Sequence, residues 1–391
     1  TSIKTSGFTA VNGEGYFINT TSGGFTVNLP AGSAGDIVAF KDYLNTFDTG
    51  ALTVAPNGTD KIGGINADAA FSTESQSVTL IFTDSVRGWL DIHDSTTAAT
   101  GNDKIVATGG VITTSGNDTI HTFTGPGTFC VSQAAACASN NVVSYIVVAG
   151  GGGGGGNDGG GGGGAGGFRE DKSPVTPYTA SPLDGAGAIT VSATGFPITV
   201  GGGGTGGPPS GPAGGSGSPS IFSTITSAGG GGGAGSPTSA TVGVAGGSGG
   251  GAGGRTNQAG GSGNTPPVSP AQGFDGGRNA PGGSPSSIDA GGGGGGASAV
   301  GGTATNNNGG PGGNGVTTEI TGTPTAYAGG GGGGSEAQNA KPGGTGGGGA
   351  SGNPGTAGTA NTGGGGGGNH CAAPGGAAGG SGVVIIRYKS Q

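Results

Sequence analysis

The stretch YIVVAGGGGGGGNDGGGGGGAGGF (Tyr145–Phe168) decides how the rest of the chain is read. A β-prone apolar segment passes directly into a glycine run, which is briefly interrupted and resumes. In GGGGAGGF (Gly161–Phe168) the non-glycines Ala165 and Phe168 stand three apart, as do Pro311 and Asn314 in GGPGGNG (Gly309–Gly315). A period of about three residues, with a rise of ~3.1 Å, belongs to the extended polyproline-II-type helix. Such a helix has no internal hydrogen bonds, so its N–H and C=O groups must find partners on neighbouring chains or in water.

The same pattern recurs along the chain. Nearly pure runs are Gly150–Gly156, Gly229–Gly233, Gly291–Gly296, Gly329–Gly334 and Gly363–Gly368. Interrupted runs are Gly161–Phe168, Gly246–Gly254, Gly309–Gly315, Gly343–Gly352 and Gly375–Gly382. A further pair is Gly201–Gly207 with Gly214–Gly217. A helix surrounded by others has no room for side chains, so the reading places pure runs inside a polyglycine-II bundle and interrupted runs at its edge. An ordinary β-sheet is the structural rival. The most β-prone segments, Ser144–Gly150 and the final Gly382–Gln391, are expected to pair and clamp the bundle.

Composition supports a divided chain. Of 391 residues, 108 are glycine and 22 proline, and 89 of the glycines lie beyond residue 150. Long helices are excluded, because glycine costs about 1 kcal/mol per helical position. Collagen is excluded by the lack of a sustained Gly-X-Y register. No run of ~20 apolar residues suits a transmembrane helix. Residues 1–150 carry a net charge of −7 and residues 151–391 a net charge of −1. Neither part is basic, which argues against nucleic-acid binding through phosphate neutralisation.

Residues 1–100 read as a small all-β sandwich or prism. Strands are expected at Gly15–Thr21, Gly24–Pro30, Asp36–Tyr43, Leu52–Ala55, Ser77–Asp84 and Gly88–His93, with Trp89 in the core. Residues 101–149 read as a β segment leading into the glycine-rich part, 150–391, which strand 383–389 closes. Almost no α-helix is expected. The GND pieces at Gly101 and Gly116 are turns rather than calcium repeats. Cys130 and Cys137 form a candidate hairpin disulfide, leaving Cys371 over. His93, His121 and His370 show no paired metal-ligand spacing.

Two resemblances follow from these motifs. Leu29–Asp42, Leu52–Gly64 and Ser77–Leu90 resemble a β module of bacteriophage tail fibres and other virion structural proteins. Gly109–Phe129, Tyr145–Gly155 and Gly380–Tyr388 resemble the glycine-rich domain at the ends of phage tail fibres, over residues 101–391. The resemblance implies a non-enzymatic host-recognition protein on an external fibre of the virion, commonly a homotrimer. It implies a host surface receptor, polysaccharide or outer-membrane protein, and neighbouring fibre or tail proteins as partners. The alternative is a purely structural fibre or decoration protein of neck, capsid or tail.

No nucleophile–base arrangement or P-loop stands out, and no cofactor, metal or membrane insertion is expected. Candidate receptor-contact residues lie on the larger loops between runs. They are Arg255, Asn257, Gln258, Phe274, Asp275, Arg278, Asn306, Asn307, Asn308, Glu336, Gln338, Asn339, Asn369 and His370.

Overall fold

A computed structural model describes residues 2–92, 104–209, 211, 213–235, 242–254, 257–279, 289–305, 307–337, 339–370 and 375–390. The fold is all-β with a glycine-rich second part, and a 3-10 turn at Ala138–Asn141 is the only helical element among the described residues. Two compact units are drawn at other boundaries than the three-part reading. One is Thr1–Ile105 with Gln133–Asn141, and the other is Val106–Ser132 with Val142–Gln391. Strands from the 101–149 segment thus belong to the same unit as the glycine runs.

The first unit holds β1 (Phe8–Thr9), β2 (Glu14–Ile18), β3 (Thr26–Asn28), β4 (Ile37–Asp42), β5 (Leu52–Ala55), β6 (Ala69–Phe71), β7 (Ser77–Phe82) and β8 (Trp89–Asp91). They form two four-stranded sheets, β1-β3-β5-β6 and β2-β4-β7-β8. The early strands pair in parallel and the later ones close each sheet antiparallel. Alternate residues point inward, as a half-buried strand requires, so β4 buries Val38 and Phe40 and β7 buries Val78 and Leu80. Trp89 is fully buried in this core, edge-on to Phe82. The sequence reading missed β1 and β6, which are too short to show a period.

The second unit holds β9 (Val106–Thr108), β10 (Val111–Ser115), β11 (Asp118–Phe123), β12 (Gly127–Gln133), β13 (Val142–Val148), β14 (Phe168–Asp171), β15 (Ile189–Thr190), β16 (Gly195–Thr199), β17 (Ser220–Phe222), β18 (Ile225–Ser227), β19 (Val316–Thr318), β20 (Thr325–Tyr327) and β21 (Val383–Lys389). One sheet has the order β10-β11-β21-β13-β14, with β15 also on β13. The expected clamp is present: β13 and β21 pair antiparallel from Ser144↔Arg387 to Val148↔Val383. Gly116 sits at φ +59 in the β10–β11 connection, a left-handed conformation that suits glycine. One face of the sheet packs Ile146, Val148, Val383 and Ile385 with Phe168 and Tyr178. A second sheet, β18-β17-β16-β12-β9, contributes Phe129 and Phe222 to an aromatic cluster with His121, Tyr145 and Tyr388.

Beyond Val148 the chain leaves the sheet and enters the glycine runs. The N–H groups of Gly150 and Gly153 donate to Ser218 and Gly215. Those of Gly151 and Gly154 donate to Gly380 and Ala377, and those of Gly152 and Gly155 to Gly164 and Gly161. The carbonyls repeat in the same way, accepting from Gly230 and Gly233, Gly204 and Gly207, and Gly366 and Asn369. The run therefore bonds to six neighbours, returning to each every third residue. A β ladder would alternate with a period of about two. No strand is assigned to any of the pure runs.

Close approach explains the glycine. A Cβ at Gly163 would stand 2.1 Å from the Gly152 carbonyl oxygen, and one at Gly154 2.2 Å from that of Gly367. At the periphery the runs are buried on one side only. In Gly201–Gly207 the buried positions are 201, 204 and 207, and Pro311 and Asn314 are exposed in Gly309–Gly315.

One expectation is corrected. The interrupted runs Gly161–Phe168 and Gly246–Gly254 are buried throughout, so interruption does not mark the edge. Ala165 lies in the apolar cluster with Ala297 and Ala328. Ala328 adopts φ 59 just before the run Gly329–Gly334 begins. The Ala165 methyl group is thus buried within an apolar cluster rather than turned to the outside.

These positions separate in stability. Gly163→Ala is expected to destabilise by about 3 kcal/mol or more through overpacking against a backbone. Gly202→Ala, where nothing lies within 4 Å of the added methyl, is expected to be neutral or to stabilise by about 0.5 kcal/mol. Denaturant unfolding of the two variants checks this.

Candidate functional site

The register of the runs divides the second unit into two ends. Gly150 follows β13 and Phe168 begins β14, so these residues mark the sheet end. Asn157 and Gly159, at φ 68 and φ 67, reverse the chain between Gly156 and Gly160 and mark the opposite end.

Most candidate loop residues gather at that opposite end. Asn279 donates from Nδ2 to the carbonyls of Gly253 and Gly254 and accepts at Oδ1 from the Gln258 N–H, at 2.6 Å. Arg278 Nη2 donates to Asn257 Oδ1 at 3.0 Å. The Ala304 N–H donates to the Arg278 carbonyl, and Thr305 and Asn308 exchange backbone hydrogen bonds. Asn339 Nδ2 donates to Asn308 Oδ1 at 3.1 Å. Asn257, Arg278, Thr305, Asn307, Asn308 and Asn339 thereby lie along one polar ridge among the described residues, all exposed but the half-buried Asn308, with Arg278 joined to the Thr305 segment through the backbone of buried Ala304. Glu336 accepts from the Asp289 N–H beside it.

Other candidates are not part of that exposed surface. Phe274 donates its N–H to Gly296 and accepts at its carbonyl from Gly249, toward the sheet end, as part of a run rather than a loop tip. Asp275 accepts there from the Gly263 N–H at 2.7 Å. Asn369 and His370 are buried at 0% and 2% exposure, which corrects their reading as contact residues. Asn369 continues the preceding run, bonding to Gly155 and Gly160 through its backbone. Arg255, Asn306 and Gln338 lie outside the described residues, as do His93 and Cys371. The candidate disulfide is not formed. Cys130 is a thiol on the outward side of β12, between buried Phe129 and Val131, and the Cys137 Sγ lies 3.1 Å from Ser139 Oγ.

The sheet end holds a buried polar network that the sequence reading missed. Glu170, fully buried on β14, accepts from Thr318 Oγ1 at 2.6 Å, the Ser181 N–H at 2.9 Å and Tyr178 OH at 3.2 Å. Burial pushes its carboxyl above the ordinary range, against the pull of those hydrogen bonds. Arg387 on β21 pairs with Asp118 on β11 at 2.7 Å and donates to the carbonyls of Glu319 and Ile320. Its guanidinium lies over the Tyr178 ring, 5.1 Å from the centroid. Arg169 ties β14 to the carbonyls of Ser269, Pro270 and Ala186. These charges fix loops onto the sheet. The only hint in the sequence was FRED (Phe168–Asp171), a charge cluster in a region nearly free of charge.

Two histidines are also buried. His121 Nδ1 meets the Gly109 carbonyl at 2.7 Å and Nε2 meets Tyr388 OH at 3.0 Å. His370 Nε2 meets Ser351 Oγ at 3.1 Å. Among the described residues no group of three or more His, Cys, Asp or Glu is placed to hold a metal, and no helix is long and apolar enough to cross a membrane.

A family model described as a glycine-rich domain matches residues 124–389, and the chain belongs to that family. No curated protein matches the chain.

Burial lowers the affinity of both His121 and His370 for a proton. Their contribution to stability is present above the ordinary histidine value of 6.5 and is lost as pH falls through the lower folded-state values. Chemical denaturation across pH should therefore show stability falling below about pH 6.5. His370→Gln should flatten part of that decline.

Proposed function

We propose that the glycine runs are polyglycine-II helices and that the chain is a bacteriophage tail-fibre or receptor-binding protein. In this reading it is non-enzymatic, and the bundle displays host-contacting loops on the outside of a virion. The observation that carries it is the gathering of polar side chains from separate segments at the bundle end away from the sheet. The three-residue return of hydrogen bonds to six neighbours supports the polyglycine-II assignment. A lattice held by backbone contacts on every side is a stiff support, and binding residues commonly sit on loops that a rigid scaffold positions. The resemblance of Tyr145–Gly155 and Gly380–Tyr388 to tail-fibre tips points the same way. Assembly into a homotrimer with other fibre proteins belongs to the same proposal.

Labelled full-length chain is expected to bind bacterial cells and to compete with phage adsorption. Blocking the opposite end with Thr305→Arg and Asn307→Trp should weaken binding about tenfold, the effect of losing about 1.4 kcal/mol. Thr323→Arg, on the exposed β19–β20 connection, should leave binding unchanged. A chain that binds no cells would leave the purely structural fibre as the better reading.

A further inference from the structure

We propose that the ridge Asn257–Arg278–Thr305–Asn307–Asn308–Asn339 is a binding site for a neutral, hydroxyl-rich glycan. This rests on the reading of the bundle end as a surface-recognition face and names the chemistry it would take. The ridge is assembled by register: its residues come from four chain segments that are adjacent only because the runs pack side by side. Its side chains are chiefly primary amides, with one guanidinium and one hydroxyl.

A primary amide offers a donor and an acceptor in one plane, and two vicinal sugar hydroxyls can donate to one and accept from the other. The Arg278–Asn257 and Asn339–Asn308 hydrogen bonds restrain four of these side chains before any ligand arrives. Less rotamer freedom is then lost on binding. After the Asn339–Asn308 bond is made, the Asn308 NH₂ and the Asn339 carbonyl oxygen still have hydrogen-bonding capacity.

The surface is poorly suited to a protein ligand. Protein interfaces draw their energy from buried aromatic and other large anchors seated in pockets. Among the described residues no large apolar side chain belongs to the ridge, and the exposed Phe274 and Val300 lie toward the sheet end. Among the described residues of the ridge Arg278 is the one cation, so the ridge offers little charge to a strongly anionic polymer.

The test uses the full chain and a panel of Gram-negative and Gram-positive cells presented intact, periodate-oxidised or protease-shaved. Periodate cleaves vicinal diols and is expected to abolish binding, whereas protease should not. Asn308→Ala with Asn339→Ala should weaken binding to intact cells about tenfold, as expected from losing one or two hydrogen bonds. Asn257→Ala serves if the double variant melts early. Binding that survives periodate but not protease would overturn the glycan assignment while leaving surface recognition standing. Unchanged binding by variants that retain the parent melting transition would overturn the ridge as the site. Absence of binding to every cell type would overturn the recognition reading and this inference with it.

Discussion

A backbone N–H of one glycine run meets the carbonyl of the next where no side chain fits between them, and the second unit depends on that contact. Each such bond is modest, about 1 kcal/mol net. Ordering glycine is costly, because no residue has more backbone freedom to lose. The arrangement holds because it is dense. A central run such as Gly150–Gly156 reaches six neighbours within two turns of three residues. A Cβ placed there would stand about 2 Å from a carbonyl oxygen, well inside contact distance. Cohesion of the runs therefore comes from backbone complementarity, while apolar burial is concentrated in the sheets.

The sheet end gives the runs their starting positions. β13 runs into Gly150–Gly156, β14 follows Gly161–Gly167, and β21 follows Gly375–Gly382. Ordinary strand pairing fixes the register of β13, β14 and β21. The adjoining runs inherit that alignment, which lowers the entropy lost in bringing them together. Buried charges complete this end. The Arg387–Asp118 pair and the Glu170 hydrogen bonds attach the loops after β14 and β19 to the sheet. Removing one member of a buried pair strands the other in a medium that solvates it poorly.

Legibility in the sequence followed the range of the interactions. The glycine period, the β13–β21 clamp and the core role of Trp89 were visible because each depends on local pattern or intrinsic residue preference. The inside-or-outside position of an interrupted run was not. Ala165 is buried in an apolar cluster built from distant segments, and that is a fact about other parts of the chain. The same holds for the ridge. Asn308 and Asn339 were recognisable as polar loop residues, but their contact arises from the lateral packing of runs. Asn369 looked equally polar and is buried, because its backbone extends a run by one more lattice position.

By itself the sequence determined that this is an all-β chain with a glycine-rich second part. Glycine and proline at this density exclude helices, and runs without side chains permit backbones to approach. Only the tertiary structure decided which runs lie at the centre, which end collects the polar loops and which charges are buried. A polyglycine run carries no side-chain information about its neighbours, so its partners are set by the register of the flanking strands and the lengths of the connections.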